Sequence, residues 1–242
     1  MIWSLLAYRA SSEAREAVLS NSLVSVSHQD GVWTFTPVQV HVKTTGFMFL
    51  PGALVDPRAY APLARSMAEK GYRVALIELP RRGAFGGADS PEMNRRISTV
   101  FNSVGLPRRW VVGGHSRGAV VASRVASQNQ DVAGLVIIGS SHPRDYDLSS
   151  LRVPVTKVVG TRDGLASPAE VRENAPKLPP QTRWVWIEGG NHSQFGWYGF
   201  QPMDRVARID ASDQRAIMIQ EVAELLDRVT WTSADSSRKT AS

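Results

Sequence analysis

The chain reads as α/β: a mostly parallel sheet with helices on both faces, entered through an antiparallel hairpin. Three observations predict this. After residue 45, short runs such as RVALIEL (73–79) and GLVIIG (134–139) are apolar almost without interruption, as strands covered on both faces are. The segments between them repeat apolar residues at helical spacing. Before residue 45, LVSVSHQ and VWTFTPVQVHVK meet at Asp30-Gly31, a strong signal for a tight hairpin.

The elements follow in order. GFMFL (46–50) is a strand. A helix follows from Pro57 to Lys70, with Tyr60, Leu63, Ala64 and Met67 on one face and Gly71 as its stop. RVALIEL is the next strand, and Pro91 to Val104 a weaker helix. WVVGG (110–114) is a strand that runs into a helix from Arg117 to Ser127. GLVIIG, VTKVVG (155–160) and RWVWIEG (183–189) are further strands. Ser167 to Ala175 is a short helix, and Ser212 to Val229 a longer one with Met218, Val222, Leu225 and Val229 on one face. These elements make a single domain over residues 23–229, between an N-terminal segment (1–22) and a polar tail (230–242) expected to be disordered.

Composition removes several classes of function. The 242 residues, 43% hydrophobic, suffice for one sizeable core. There is no cysteine, so thiolate catalysis, disulfides and Cys-ligated zinc are excluded. The formal charge is +6, but the basic residues are scattered rather than gathered in a stripe, which argues against nucleic acid as a partner. The apolar run Met1 to Tyr8 is far shorter than the roughly 20 residues that span a bilayer. It reads as a helix start or as the stub of an anchor. A cytoplasmic location is favoured, with anchoring open if the native N-terminus is longer. Oligomeric state is not legible. No metal-binding or nucleotide-binding pattern is present, so no cofactor is expected.

The chemistry centres on Gly114-His115-Ser116-Arg117-Gly118, which fits G-x-S-x-G between a strand and a helix. Such a turn strains the serine backbone and exposes its Oγ at a helix N-terminus, where the dipole favours negative charge. A serine hydroxyl needs a base, and the base an orienting acid. Asp163 in TRDG follows the strand VTKVVG, and His192 in GGNH follows RWVWIEG. Both fall past strand ends on the edge that carries Ser116, in the order Ser, acid, His. The oxyanion site needs two backbone N–H groups. Arg117, after the serine, supplies one. The loop LPGAL (50–54) supplies the other, with Ala53 the choice and Leu54 its neighbour.

PGALVDPRAYAPLA, GGHSRG, GTRDG and EGGNHSQFGWYG together resemble the α/β-hydrolase superfamily, in its small capless group of serine hydrolases and esterases with a dienelactone-hydrolase-like core. The resemblance covers roughly residues 45 to 228. It implies an α/β-hydrolase fold with Ser116 as nucleophile, Asp163 as acid and His192 as base. Arg117 departs from the small or apolar residue many relatives carry there, which bears on substrate preference rather than on the N–H. Relatives in this group often begin with a membrane-spanning segment.

The expected activity is cleavage of a small-molecule carboxylic ester through an acyl-enzyme. Thioester, lactone or amide hydrolysis stays open on the same residues, as does a slow or noncatalytic ligand-binding role. Only SSHPRDYDLSSLRVP separates GLVIIG from VTKVVG, which leaves no room for a helical cap and predicts an open site. Phe195 and Trp197 either wall that site or pack their loop on the sheet. Arg81 and Arg82 either hold a substrate anion or are surface charge. His115 and His142 complete the candidates for substrate binding.

Overall fold

The computed structural model describes residues 8–105 and 107–239, with side chains as far as Thr230. β1 (Val24–Gln29) and β2 (Val32–Pro37) form the hairpin, followed by β3 (Thr45–Leu50), β4 (Val74–Ile77), β5 (Arg109–His115), β6 (Val132–Ile138), β7 (Val155–Gly160) and β8 (Arg183–Ile187). They make one sheet in the order β1-β2-β4-β3-β5-β6-β7-β8. β2 is antiparallel to β1 and β4, and the pairs from β4 to β8 are parallel. Asp30 and Gly31 turn the hairpin with φ of 50° and 75°, the positive angles a two-residue turn needs to match the strand twist. The second hairpin strand, read as far as Lys43, ends at Pro37, a residue without an N–H for a further ladder bond.

Among the described residues there are six α-helices: α1 (Ser12–Glu16), α2 (Ala61–Glu69), α3 (Pro91–Phe101), α4 (Arg117–Gln128), α5 (Pro168–Glu173) and α6 (Ala211–Lys239). The helix read from Pro57 opens as a separate 3-10 turn, Pro57–Tyr60. Pro62 follows, and proline is tolerated only in a first turn, so α2 starts just before it. Ser11, Ser90 and Ser167 cap α1, α3 and α5 through their side chains. α6 continues past Val229, through most of the segment read as a tail, with no Gly or Pro before Lys239 to stop it. Met1 to Ala7, most of the run read as a helix start or anchor stub, lie outside the described residues. Among those that are described, no helix is long and apolar enough to cross a membrane.

Alternation along β3 builds two cores. Phe47 and Phe49 face α2 and α6 with Leu63, Met67, Met218 and Leu225. Met48 and Leu50 face α3 and α4 with Met93, Ile97, Val121 and Ala122. β3, β6 and β7 are buried at every position, and each large apolar side chain removed from water contributes roughly 1.5–3 kcal/mol. That rigid centre is what presents the strand ends. Between Ile138 and Val155 no helix or strand forms, so nothing regular roofs the carboxyl edge there.

Candidate active site

Ser116 joins β5 to α4 with φ 52° and ψ −118°, a backbone conformation that residues with a Cβ rarely adopt. Crowding imposes it. A Cβ on Gly118 would stand 2.0 Å from the Leu50 carbonyl oxygen, and one on Gly114 would stand 2.4 Å from the Gly118 carbonyl carbon. The end of β3 and the first turn of α4 therefore meet backbone to backbone. The Ser116 N–H donates to the Ile138 carbonyl at 2.9 Å, tying the turn to β6.

The loop after β3 shows an alternation of engaged and free amides. Gly52 N–H donates to the Tyr60 hydroxyl at 3.2 Å, and Leu54 N–H donates to the Arg82 carbonyl at 2.8 Å. Ala53 N–H, between them, has no acceptor among the described residues, nor does that of Arg117 at the start of α4. Two unengaged donors thus flank the serine turn.

Asp163 is fully buried past the end of β7. Its Oδ1 accepts from the N–H groups of Leu165 (2.9 Å) and Ala166 (2.7 Å). Its Oδ2 lies 2.9 Å from Nδ1 of His192. The loops that carry the two residues are laced together, with Thr161 N–H on the Ile187 carbonyl and Arg162 N–H on that of Gly190. His192 is also buried, and among the described residues its Nε2 has no hydrogen-bond partner, Ser116 included. Candidate acid–base pairs often tighten on the nucleophile only when substrate binds. Chemically, the arrangement offers a strained serine, a histidine oriented by a carboxylate, and amides for a developing anion.

Three residues that sequence reasoning passed over hold this arrangement. Tyr60, read as core, is buried, and its hydroxyl lies 2.7 Å from Nδ1 of His115 as well as on Gly52. Burial pushes its phenol up, so it keeps its proton. Gln214, buried on α6, brackets the residue before His192: its Oε1 accepts Asn191 N–H at 3.0 Å and its Nε2 donates to the Asn191 carbonyl at 2.7 Å. Asp204 binds the loop after Asp163 and the loop of His192 from a strand-less stretch. Gln214 had a legible signal, since it falls on the apolar stripe of α6 that continues with Met218 and Val222. Asp204 had none.

The other candidates divide. Leu54 sits on the rim, 47% exposed, with φ 65°. His115 is a core residue and not a pocket wall: it is fully buried, its ring 4.4 Å from that of His192. Burial, with His192 beside it, pushes the imidazole well below the usual histidine range and keeps it neutral. Phe195 and Trp197 likewise pack inward. Phe195 is fully buried against His115, and Trp197 lies under the Arg215 guanidinium with its Nε1 on Glu13 at 3.0 Å. An aromatic cluster after His192 thus glues its loop to α1 and α6. Arg81 and Arg82 are exposed, both with φ 51°. They line a cavity of about 360 Å³ with Arg58 and Gly52, and Ser116 is not part of that lining. The Arg117 side chain pairs with Asp89. His142 is largely buried, and burial together with Arg144 lowers it to about 4, so it is neutral at pH 7.

The model of the alpha/beta hydrolase family matches residues 46–216, the span from β3 to the first turns of α6. No curated protein matches the chain significantly. Among solved structures, an α/β serine hydrolase without a lid from Xanthomonas campestris is similar at 17% identity and TM-score 0.57, over 86% of this chain and 97% of that one. A protein from Thermus thermophilus has 17% identity and TM-score 0.60, over 84% and 98%. A ferulic acid esterase from Streptomyces cinnamoneus has 22% identity and TM-score 0.59, over 79% and 68%.

Proposed function

The chain belongs to the alpha/beta hydrolase family, and from that premise we propose that it is a serine hydrolase that cleaves carboxylic esters through an acyl-enzyme. The observation that carries the reading is the left-handed Ser116 between β5 and α4, on the same strand edge as the His192–Asp163 pair. In this reading Ser116 Oγ attacks the ester carbonyl while His192 Nε2 takes its proton. Asp163 fixes the ring through Nδ1 and stabilises the imidazolium. The free N–H groups of Ala53 and Arg117 receive the negative charge that develops on the carbonyl oxygen. His192 then protonates the leaving alkoxide. It next draws a proton from water, which attacks the acyl-enzyme, and returns that proton to Ser116 Oγ as the acid leaves. The open stretch between β6 and β7 suits an ester that enters without displacing a lid.

The test pairs Ser116→Ala with the wild type in intact-protein mass spectrometry after incubation with a small fluorophosphonate. One adduct on wild type and none on the variant is expected, with ester turnover falling in the variant by on the order of 10⁴- to 10⁶-fold at unchanged fold. Unchanged turnover in the variant would overturn the reading. A folded wild type that takes no adduct and turns over no ester would replace it with ligand binding without catalysis.

A further inference from the structure

We propose that Asp204 is a positioning residue that clamps the loop of the acid to the loop of the base; the proposal rests on the reading of Asp163 and His192 as a catalytic pair. Asp204 lies in the stretch 201–208 between the base loop and α6, which crosses both loops. There Arg162 Nε donates to the Val206 carbonyl at 2.7 Å, Asn191 Nδ2 to the Arg205 carbonyl at 2.7 Å, and Arg208 N–H to the Gly189 carbonyl at 2.8 Å. The Asp204 carboxylate is the centre of this crossing. Its Oδ1 accepts the N–H of Gly164, next to the acid, at 3.0 Å and the N–H of His192 itself at 3.3 Å. Its Oδ2 accepts both the N–H and the Oγ–H of Ser193 at 2.7 Å.

One oxygen therefore joins the residue after Asp163 directly to His192, and the 2.9 Å bond between acid and base closes a small ring through it. The approach is built into the chain. A Cβ on Gly164 would stand 2.6 Å from the Met203 carbonyl oxygen and 3.0 Å from the Asp204 Cα. Met203 takes φ 70° although it is no glycine and its side chain is 89% exposed. That strained turn, which no side-chain packing explains, is what aims Asp204 inward.

The chemistry requires a carboxylate. Five donors converge on the two oxygens, four from the two loops and the fifth the neighbouring Arg205 N–H at 2.8 Å, and an ionised carboxyl has only acceptors. An asparagine presents one acceptor and one NH2. In the place of Oδ2 its NH2 faces the two Ser193 donors, and in the place of Oδ1 it faces the N–H groups of Gly164 and His192, so either way at least one of the two loops must move. A shift of about 1 Å in such a pair costs on the order of 100-fold in rate.

The experiment compares full-length wild type with Asp204→Asn and Asp204→Ala. It reads melting temperature, kcat and KM on a p-nitrophenyl ester, and the downfield proton resonance of the His192 Nδ1–H···Asp163 bond. Asp204→Asn should remain folded, lose about 10- to 100-fold in kcat with KM nearly unchanged, and lose or broaden the resonance. A purely structural role would lower the melting temperature and leave resonance and kcat in place. Retention of both in folded Asp204→Ala overturns the clamp and leaves the hydrolase reading standing. A wild type that turns over no ester, yet whose resonance Asp204→Asn abolishes, supports the clamp and overturns that reading instead. If both Asp204 variants fail to fold, Ser193→Ala, which removes one donor to Oδ2, should lower kcat a few-fold; an unchanged kcat there overturns the clamp.

Discussion

The serine turn and the Asp163–His192 pair stand on the same strand edge but are held by opposite means. The turn is held by close approach: α4 meets β5 at Gly114 and the end of β3 at Gly118 with no room for a methyl group. Its partners, Leu50, Pro51 and Ile138, are backbone atoms of neighbouring strands and their ends. The pair is held by polar side chains borrowed from elsewhere. Asp204 comes from an irregular crossing and Gln214 from α6, while the aromatic residues after His192 anchor on α1. Close packing fails abruptly when volume is added. Hydrogen-bonded scaffolds fail in steps as partners are removed.

The largest expected effect follows on the packed side. Gly118→Ala should destabilise the fold by more than about 4 kcal/mol or prevent folding, seen as loss of the cooperative melting transition. Gly113→Ala, whose Cβ meets only side-chain atoms at 3.1 Å and beyond, should stay folded. Equal tolerance at both positions would break the comparison. On the polar side, Gln214→Leu leaves the buried Asn191 N–H and carbonyl unpaired. It should cost about 3 kcal/mol in denaturant titration and lower kcat about 10-fold while some activity persists. Complete loss of both fold and activity would mean that the polar side is as brittle as the packed one.

The smallest effect sharpens the comparison within β7, the strand that leads to Asp163. Lys157 is buried there with its Nζ on the His142 carbonyl at 2.5 Å. Burial, then Arg144, lowers its amine from the ordinary 10.5 to about 7. Between those values the unfolded chain keeps the proton and the native chain does not, so Lys157 makes native stability rise with pH. From pH 7 to 9 this amounts to about 2 kcal/mol. Lys157→Met should remove that part of the rise in melting temperature, and parallel pH profiles for the two proteins would count against it.

The same contrast decides what was legible in the sequence. A turn held by sterics is written where it stands, because Gly114 and Gly118 flank the serine they constrain. The strands were legible for a related reason, since burial on both faces leaves runs such as GLVIIG without polar residues. Asp163 and His192 were legible through their places after such runs. Their supports were not, because a hydrogen bond needs only one atom in the right place and puts no period into the chain. Asp204 lies 12 residues from His192 and 40 from Gly164 in a stretch without regular structure. His115, Phe195 and Trp197 resisted for another reason. Aromatic and imidazole rings near a catalytic edge serve a pocket wall or a core equally well, and only the packing on Tyr60, α1 and α6 decides between them.

The reach of these contacts along the chain has a consequence in time. All the partners named for the serine turn lie between Leu50 and Ile138. The loop of His192 depends on Glu13, joined to Trp197 across 184 positions, and on Gln214. In a chain that emerges from the ribosome N-terminus first, the serine turn has its partners while His192 has not yet been synthesised. The loop of His192 is braced only once α6 has begun to form. For that interval the nascent protein carries the segment of the serine turn without His192.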